Sequence, residues 1–236
     1  MTEPTTHTLD VPGAVLTYDV HRPGAPGPHP PLFVFGSPMA ASGFAQLVEQ
    51  LDDRTLITYD PRGAERSRLA PDGRVTAELH ADDMHRVVEA TGLGPVDAFG
   101  SSGGGAFALA WVVDHPDDVR TLVAHEPPLV TLLEDRDVAL RVQADIVATY
   151  QRQGFGPAMA KFVQLVMHAG PLKPDHLDQP APDPAMFGLP TDDDGSRDDP
   201  LLSDRSWEVS SYRPDVEALT ACIDHLVAEH GGSLAP

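Results

Sequence analysis

"DAFGSSGGGAFALAWVVDHPD", residues 97–117, sets a short apolar run and a longer one on either side of a cluster of serines and glycines. The run "PVDAFG" (95–100) reads as a buried strand, and "GGAFALAWVVDHP" (104–116) reads as a helix. Between them, Gly100-Ser101-Ser102-Gly103-Gly104 fits G-x-S-x-G, centred on Ser102. A strand before the pattern and a helix after it are the context in which the pattern holds a nucleophile. The turn is sharp, so its neighbours must be small, and Gly100 and Gly104 let strand and helix approach beneath it. The serine hydroxyl then stands at a helix N-terminus, where free N–H groups and the helix dipole favour developing negative charge. The N–H of Gly103 supplies half of an oxyanion hole in this geometry. A linker would be polar on both sides, which this stretch is not. The dinucleotide fingerprint and the Lys-Ser/Thr ending of a phosphate loop are both missing.

Outward from this turn, strand and helix signals alternate over residues 1–128. "AVLTYDV" (14–20), "LFVFG" (32–36), "TLITYD" (55–60) and "VRTLVAHEPP" (119–128) read as strands. "GFAQLVEQL" (43–51) carries Phe44, Leu47, Val48 and Leu51 on one helical stripe. "TAELHADDMHRVVEATG" (76–92) reads as a helix, with Thr76 as N-cap and Gly92 as stop. Strands separated by helices imply a mostly parallel, open α/β sheet flanked by helices. Ligands of such sheets bind beyond the carboxyl ends of the strands, where "GSPM", "DPRGAERS", "GSSGGG" and "HEPP" all fall. The second oxyanion donor is expected from the loop after "LFVFG": the N–H of Ser37 first, that of Met39 second.

After Pro128 the pattern changes. Residues 131–154 and 157–170 read as helices, and Thr131 with Glu134 matches a capping box. Residues 171–205 are rich in Pro and Asp and read as a mobile, solvated loop. "DDDGSRDD" lacks the ligand spacing of a calcium-binding EF-hand loop. The expected division is a core over 1–128, a helical lid with its acidic Pro-rich loop over 129–205, and a return segment to the core over 206–236. Phe155, Phe162, Leu165 and Met167 are candidates for an apolar substrate pocket, or for packing within the lid.

Composition bounds the partners. The 236 residues carry 36 acidic and 16 basic side chains, a formal charge of −20, which argues against nucleic acid and anionic membranes. A single cysteine, Cys222, excludes an internal disulfide and a multi-cysteine metal site. No signal peptide or membrane span is legible, so a cytoplasmic location is expected. The eleven histidines show no metal-ligand spacing, so no metal and no cofactor are expected. His85 and His115 read as solvated positions on helix exteriors or in turns. His168 and His176 border the lid loop.

Taken in order, "VFGSPM", "YDPRGAERS", "VDAFGSSGGG" and "RTLVAHEPP" resemble the α/β-hydrolase superfamily, in particular small bacterial serine hydrolases with a helical lid. "DPRGAERS" is similar to that family's D-x-R-G-x-G-x-S loop, with Glu65 where a glycine is usual. Phe35 stands where the first oxyanion segment usually has a His. The resemblance implies Ser102 as nucleophile, followed in chain order by an acid and a His base. Glu126, after the strand "RTLVA", and Asp224 are the two candidate acids. His230, in "AEHGG", is the candidate base. His125 neighbours Glu126, but adjacent strand residues face opposite ways, so they are not expected to pair. The family also implies two further strands after the lid. The expectation is therefore a chain shortened at its C-terminus, lacking the last one or two strands, with "CIDHLVAEHGG" as one remaining strand. The implied activity is hydrolysis of a small ester or related acyl substrate. The alternative is a degenerate or truncated hydrolase fold without a complete triad, inactive or ligand-binding. In that alternative an unpaired sheet edge and exposed core would favour aggregation or a homodimer.

Overall fold

The computed structural model describes residues 3–25 and 27–222. It divides into two units, one of residues 1–128 and 214–236, the other of residues 129–213.

The first unit is built on a seven-stranded sheet of order β1-β2-β4-β3-β6-β7, with a short β5 paired to β2. β3 (Leu32–Ser37), β4 (Leu56–Asp60), β6 (Val96–Ser102) and β7 (Val119–His125) run parallel. β1 (Thr5–Val11) and β2 (Ala14–His21) form an antiparallel hairpin, and β2 continues antiparallel to β4. β5 (Arg68–Leu69) pairs with the start of β2. The expected α/β-hydrolase sheet is therefore present, mixed at one edge. β4 is buried at every residue and β3 at its four central ones, which is why both read as continuous apolar runs rather than alternating ones.

Helices α1 (Ala45–Gln50), α2 (Ala77–Thr91) and α3 (Gly103–Asp114) accompany the parallel strands. The ends of α2 follow its sequence. Thr76 accepts a hydrogen bond from the Leu79 N–H, and Gly92 closes the helix at a φ of 64°. Trp111 of α3 is fully buried, edge-on to Phe33 and Phe35 at 5.8 and 6.0 Å between ring centroids.

Two charged groups are buried beside these helices. Arg62 reaches into the core and meets Asp83 of α2 through two hydrogen bonds of 2.7 and 2.6 Å. His80 lies stacked on Phe107 at 4.3 Å, and its Nδ1 has no hydrogen-bond partner among the described residues. Burial, and then the charge of Arg62, hold its pKa down to about 3. An unfolded His titrates near 6.5, so from about pH 6.5 down to about 3 the unfolded chain binds a proton that the folded one refuses. Stability is present above that window and falls as pH drops through it, by up to about 1.4 kcal/mol per pH unit. His80→Phe keeps the stacked ring and is expected to flatten this acid limb. Urea midpoints at stepped pH values check it, and identical slopes in both proteins would refute it.

The second unit is helical. In α4 (Arg136–Gln153), Val138, Val142, Ile146 and Tyr150 recur every fourth residue and form the buried stripe of its core with Ala158, Leu172 and Leu202. α5 (Phe155–Val166) follows after Gly154. The capping box expected at Thr131 and Glu134 does not form, because the helix starts only at Arg136. The Thr131 hydroxyl instead donates to the Tyr212 carbonyl at 2.6 Å, and the Asp135 carboxylate accepts from the Leu172 N–H.

The acidic segment is tied down rather than free. Asp193 pairs with Arg197, which also donates to the Gln151 carbonyl at 3.1 Å, and the Tyr150 hydroxyl accepts from the Asp199 N–H at 3.0 Å. Hydrogen bonds from Arg197 and then from the Gly195 N–H hold the Asp193 carboxyl low, at about 2. Residues 216–222, in the return segment, are helical, so the strand expected from Cys222 onward does not begin at Cys222. Among the described residues no helix is long and apolar enough to cross a membrane.

Candidate active site

β6 ends at Ser102 and α3 begins at Gly103. Ser102 has φ 54° and ψ −126°, a left-handed backbone that a residue with a Cβ adopts only under constraint. The turn also denies the hydroxyl its ordinary local use. Ser102 occupies the N-cap position of α3, yet its side chain makes no capping hydrogen bond, in contrast to Thr76 on α2. Among the described residues the Ser102 hydroxyl has no hydrogen-bond partner.

The constraint comes from glycines packed under the turn. A Cβ on Gly104 would sit 2.7 Å from the Cα of Gly36 on β3. A Cβ on Gly100 would sit 3.0 Å from both the Gly104 carbonyl oxygen and the Phe35 ring. α3 can thus lie directly on β3 only without side chains there. Gly105 belongs to the same packing, which the five-residue motif does not reveal: its Cβ would meet the Gly100 carbonyl at 3.0 Å. Gly104→Ala is expected to push α3 off β3, costing about 1–3 kcal/mol by overpacking. A displacement of about 1 Å at the turn should also slow phosphonylation of Ser102 by a fluorophosphonate about 100-fold. Rates of fluorophosphonate labelling check this, and an unchanged rate would contradict it.

The loop after β3 runs beside the turn. Parallel pairing sets Gly36 opposite Ser101 and Ser37 opposite Ser102, so the Ser37 backbone lies on the neighbouring strand at the level of the serine. Met39 is 38 % exposed, and its side chain covers Gly43, where a Cβ would meet it at 2.3 Å. This loop is held from below by Asp60 at the end of β4. The Asp60 carboxylate accepts from the Ala41 N–H at 3.0 Å and from Arg66 Nε at 2.6 Å. Arg66 also bridges to Asp19 at 2.7 Å, and Ser67 ties Thr17 to the Asp60 carbonyl. Glu65 adopts φ 38°, the reason a glycine suits this position, and accepts a 2.6 Å hydrogen bond from Ser42. The "DPRGAERS" loop is thus a clamp on the segment after Ser37.

On the other side, Ser101 pairs with His125 at the end of β7, which sets Glu126 one residue beyond, at the level of Ser102. Glu126 has φ 48°, another non-glycine residue in the left-handed region. His125 stacks on Phe99 at 5.8 Å. Asp224 and His230 lie outside the described residues. In the helical unit, Phe155, Phe162 and Leu165 pack against that unit's own core, and Met167 is 71 % exposed. His168 and His176 meet edge to face at 5.4 Å. His85 and His115 depart from the expected solvated positions: both are half-buried, stacked at 3.9 Å, and grouped with Asp118.

Residues 30–216 match the model of the alpha/beta hydrolase fold, and the chain belongs to this family. It is similar to a Bacillus subtilis (strain 168) protein named Uncharacterized hydrolase YraK, 35 % identical over 133 residues, or 56 % of this chain and 48 % of that protein. The chain spans about half the length of the curated relatives it matches. Among solved structures it resembles proline iminopeptidase from Mycobacterium smegmatis, with TM-score 0.52 and 21 % identity over 95 % of this chain and 68 % of that one. That likeness is one of fold.

Proposed function

We propose that the protein is a serine hydrolase of esterase type acting on a small ester or related acyl compound. The observation that carries this reading is Ser102, held at φ 54° between β6 and α3 with its hydroxyl excused from capping. Backbone strain of this kind persists only where the surroundings impose it, and here it aims a hydroxyl away from structural use. In the proposed reaction the Ser102 oxygen attacks the acyl carbon while its proton passes to His230. The N–H groups of Gly103 and Ser37 receive the oxyanion, with Met39 as the second choice. Collapse expels the alcohol, which takes the proton from the imidazole, and water then releases the acid by the same route. Glu126 or Asp224 orients the imidazole. The left-handed backbone of Glu126, level with Ser102, supports the former.

The test is labelling with a fluorophosphonate probe followed by peptide mass mapping. An adduct on Ser102, blocked by prior incubation with a short ester, is the expected result. A folded protein that takes no label, or takes it elsewhere, would overturn the reading in favour of a hydrolase fold without the chemistry.

A further inference from the structure

We propose that His85, His115 and Asp118 bind a divalent transition-metal ion of the zinc type, at the end of α3 remote from Ser102. His85 lies in the middle of α2, His115 at the C-cap of α3, and Asp118 ends the single turn Pro116–Asp118 that follows. One ligand atom from each lies within 4.8 Å of the others. Tetrahedral zinc with bonds of about 2.1 Å sets its ligand atoms about 3.4 Å apart, so the three groups are within reach of one ion once an imidazole ring turns to aim its nitrogen at it. Two imidazoles and one carboxylate, with a fourth position for water, suit zinc and its neighbours better than calcium or magnesium.

The surroundings are those a metal site needs. The Asp118 carboxylate is fixed by a 2.8 Å hydrogen bond from Trp111 Nε1, and Trp111 is itself fully buried. His85 Nδ1 faces the same carboxylate oxygen at 2.8 Å. Its other nitrogen points toward the Glu89 carboxylate, 3.8 Å away. A ligating imidazole backed by a carboxylate and a ligating carboxylate backed by an N–H donor are the usual supports of bound metal. The two imidazoles are stacked face to face, 3.9 Å between ring centroids and 5° between planes, so binding one ion through both requires one ring to turn out of the stack. His115 has no side-chain hydrogen bond among the described residues, so its nitrogens are available to a metal without loss of another bond. Asp114, Asp117 and Asp82 on the same elements, in a chain of charge −20, favour any cation.

α3 spans 12 residues, about 18 Å, between Ser102 and His115. A metal here takes no part in acyl transfer; it joins α2 to the end of α3 and stabilises the fold by mass action.

The test uses tag-free protein and zinc chloride or copper(II) chloride as probes. Calorimetric titration is expected to give one site, with affinity falling at least about 10-fold in His85→Gln and in His115→Gln but not in His176→Gln. Saturating zinc should raise Tm by about 5 °C or more in the parent and not in those two variants. Should either variant fail to fold, two measurements on otherwise unaltered sites remain decisive. Copper(II) should show superhyperfine coupling to two nitrogens, and in Trp207→Phe it should quench the remaining Trp111 fluorescence at one equivalent. No stoichiometric binding, equal affinity in all three variants, or unquenched Trp111 would overturn the proposal. None of these readouts depends on the Ser102 reaction.

Discussion

Ser102→Ala is expected to lower turnover of p-nitrophenyl acetate by about 10³-fold or more and to abolish fluorophosphonate labelling. In the proposed reaction the loss falls on the rate of acylation, because there the hydroxyl supplies the bond-forming atom rather than a binding contact. The substitution is also unusually clean. At an ordinary N-cap, replacing Ser by Ala costs about 1 kcal/mol of helix stability. Ser102 makes no capping bond, and alanine meets the same left-handed backbone that serine already tolerates. Tm should therefore stay within about 2 °C of the parent, a shift worth under 1 kcal/mol in a chain of this size. Paired measurements of ester turnover and thermal unfolding check both halves. Turnover that survives in Ser102→Ala would mean that another group performs the attack.

Asp83→Ala is expected to destabilise the first unit by about 3–5 kcal/mol. Arg62 and Asp83 are almost wholly excluded from solvent, with side-chain exposures of 1 % and 0 %. The guanidinium spends its other donors on the Arg74 and Leu79 carbonyls, at 3.0 and 3.4 Å. Removing the carboxylate leaves a buried cation without its counter-charge. At roughly 2–4 °C per kcal/mol, the melting temperature should fall by about 6–20 °C. Removing both charges together is a different perturbation. The double variant Arg62→Met with Asp83→Leu should recover much of the loss, since an apolar pair carries no desolvation cost. Calorimetric melting of the three proteins decides it, and a loss below about 1 kcal/mol in Asp83→Ala would show the pair to be hydrated.

The parts of this fold that were legible are those whose cause is local. The turn at Ser102 is written in seven consecutive letters, and α2 carries its own cap at Thr76 and its own stop at Gly92. β1 was not legible because six of its seven residues are at least partly exposed and mostly polar; its existence depends on pairing with β2. Thr131 has the sequence of a cap, but its hydroxyl is claimed by a carbonyl 81 residues further on. The acidic run from Asp192 to Asp199 suggested solvation by composition, yet its carboxylates accept backbone N–H groups two and three residues ahead, a short-range bond that charge counting overlooks. His85 and Asp118 lie 33 positions apart, so only the packing of α2 on α3 reveals the cluster. Of the candidate site, Ser102 and Gly103 were legible from the G-x-S-x-G pattern between strand and helix, and Ser37 from the loop after "LFVFG", which pairing brings level with Ser102. The proposed base, His230, lies outside the described residues.

The contact of α3 on β3 leaves no room for even one added carbon at Gly104, whereas Ser42 and Glu65 meet through a side-chain hydrogen bond. Mutational tolerance at this site is therefore divided by position rather than by chemistry. A library of variants seeking new substrates would lose most members drawn from residues 100–105 to steric failure. Members drawn from Met39, Ser42, Ala64 and Glu65 would mostly survive, with the buried Ala40 and Ala41, Gly43, the positive-φ Gly63 and Arg66 kept. The adaptable part of the protein is the pair of loops beside the serine, and the serine's own turn is the part that cannot drift.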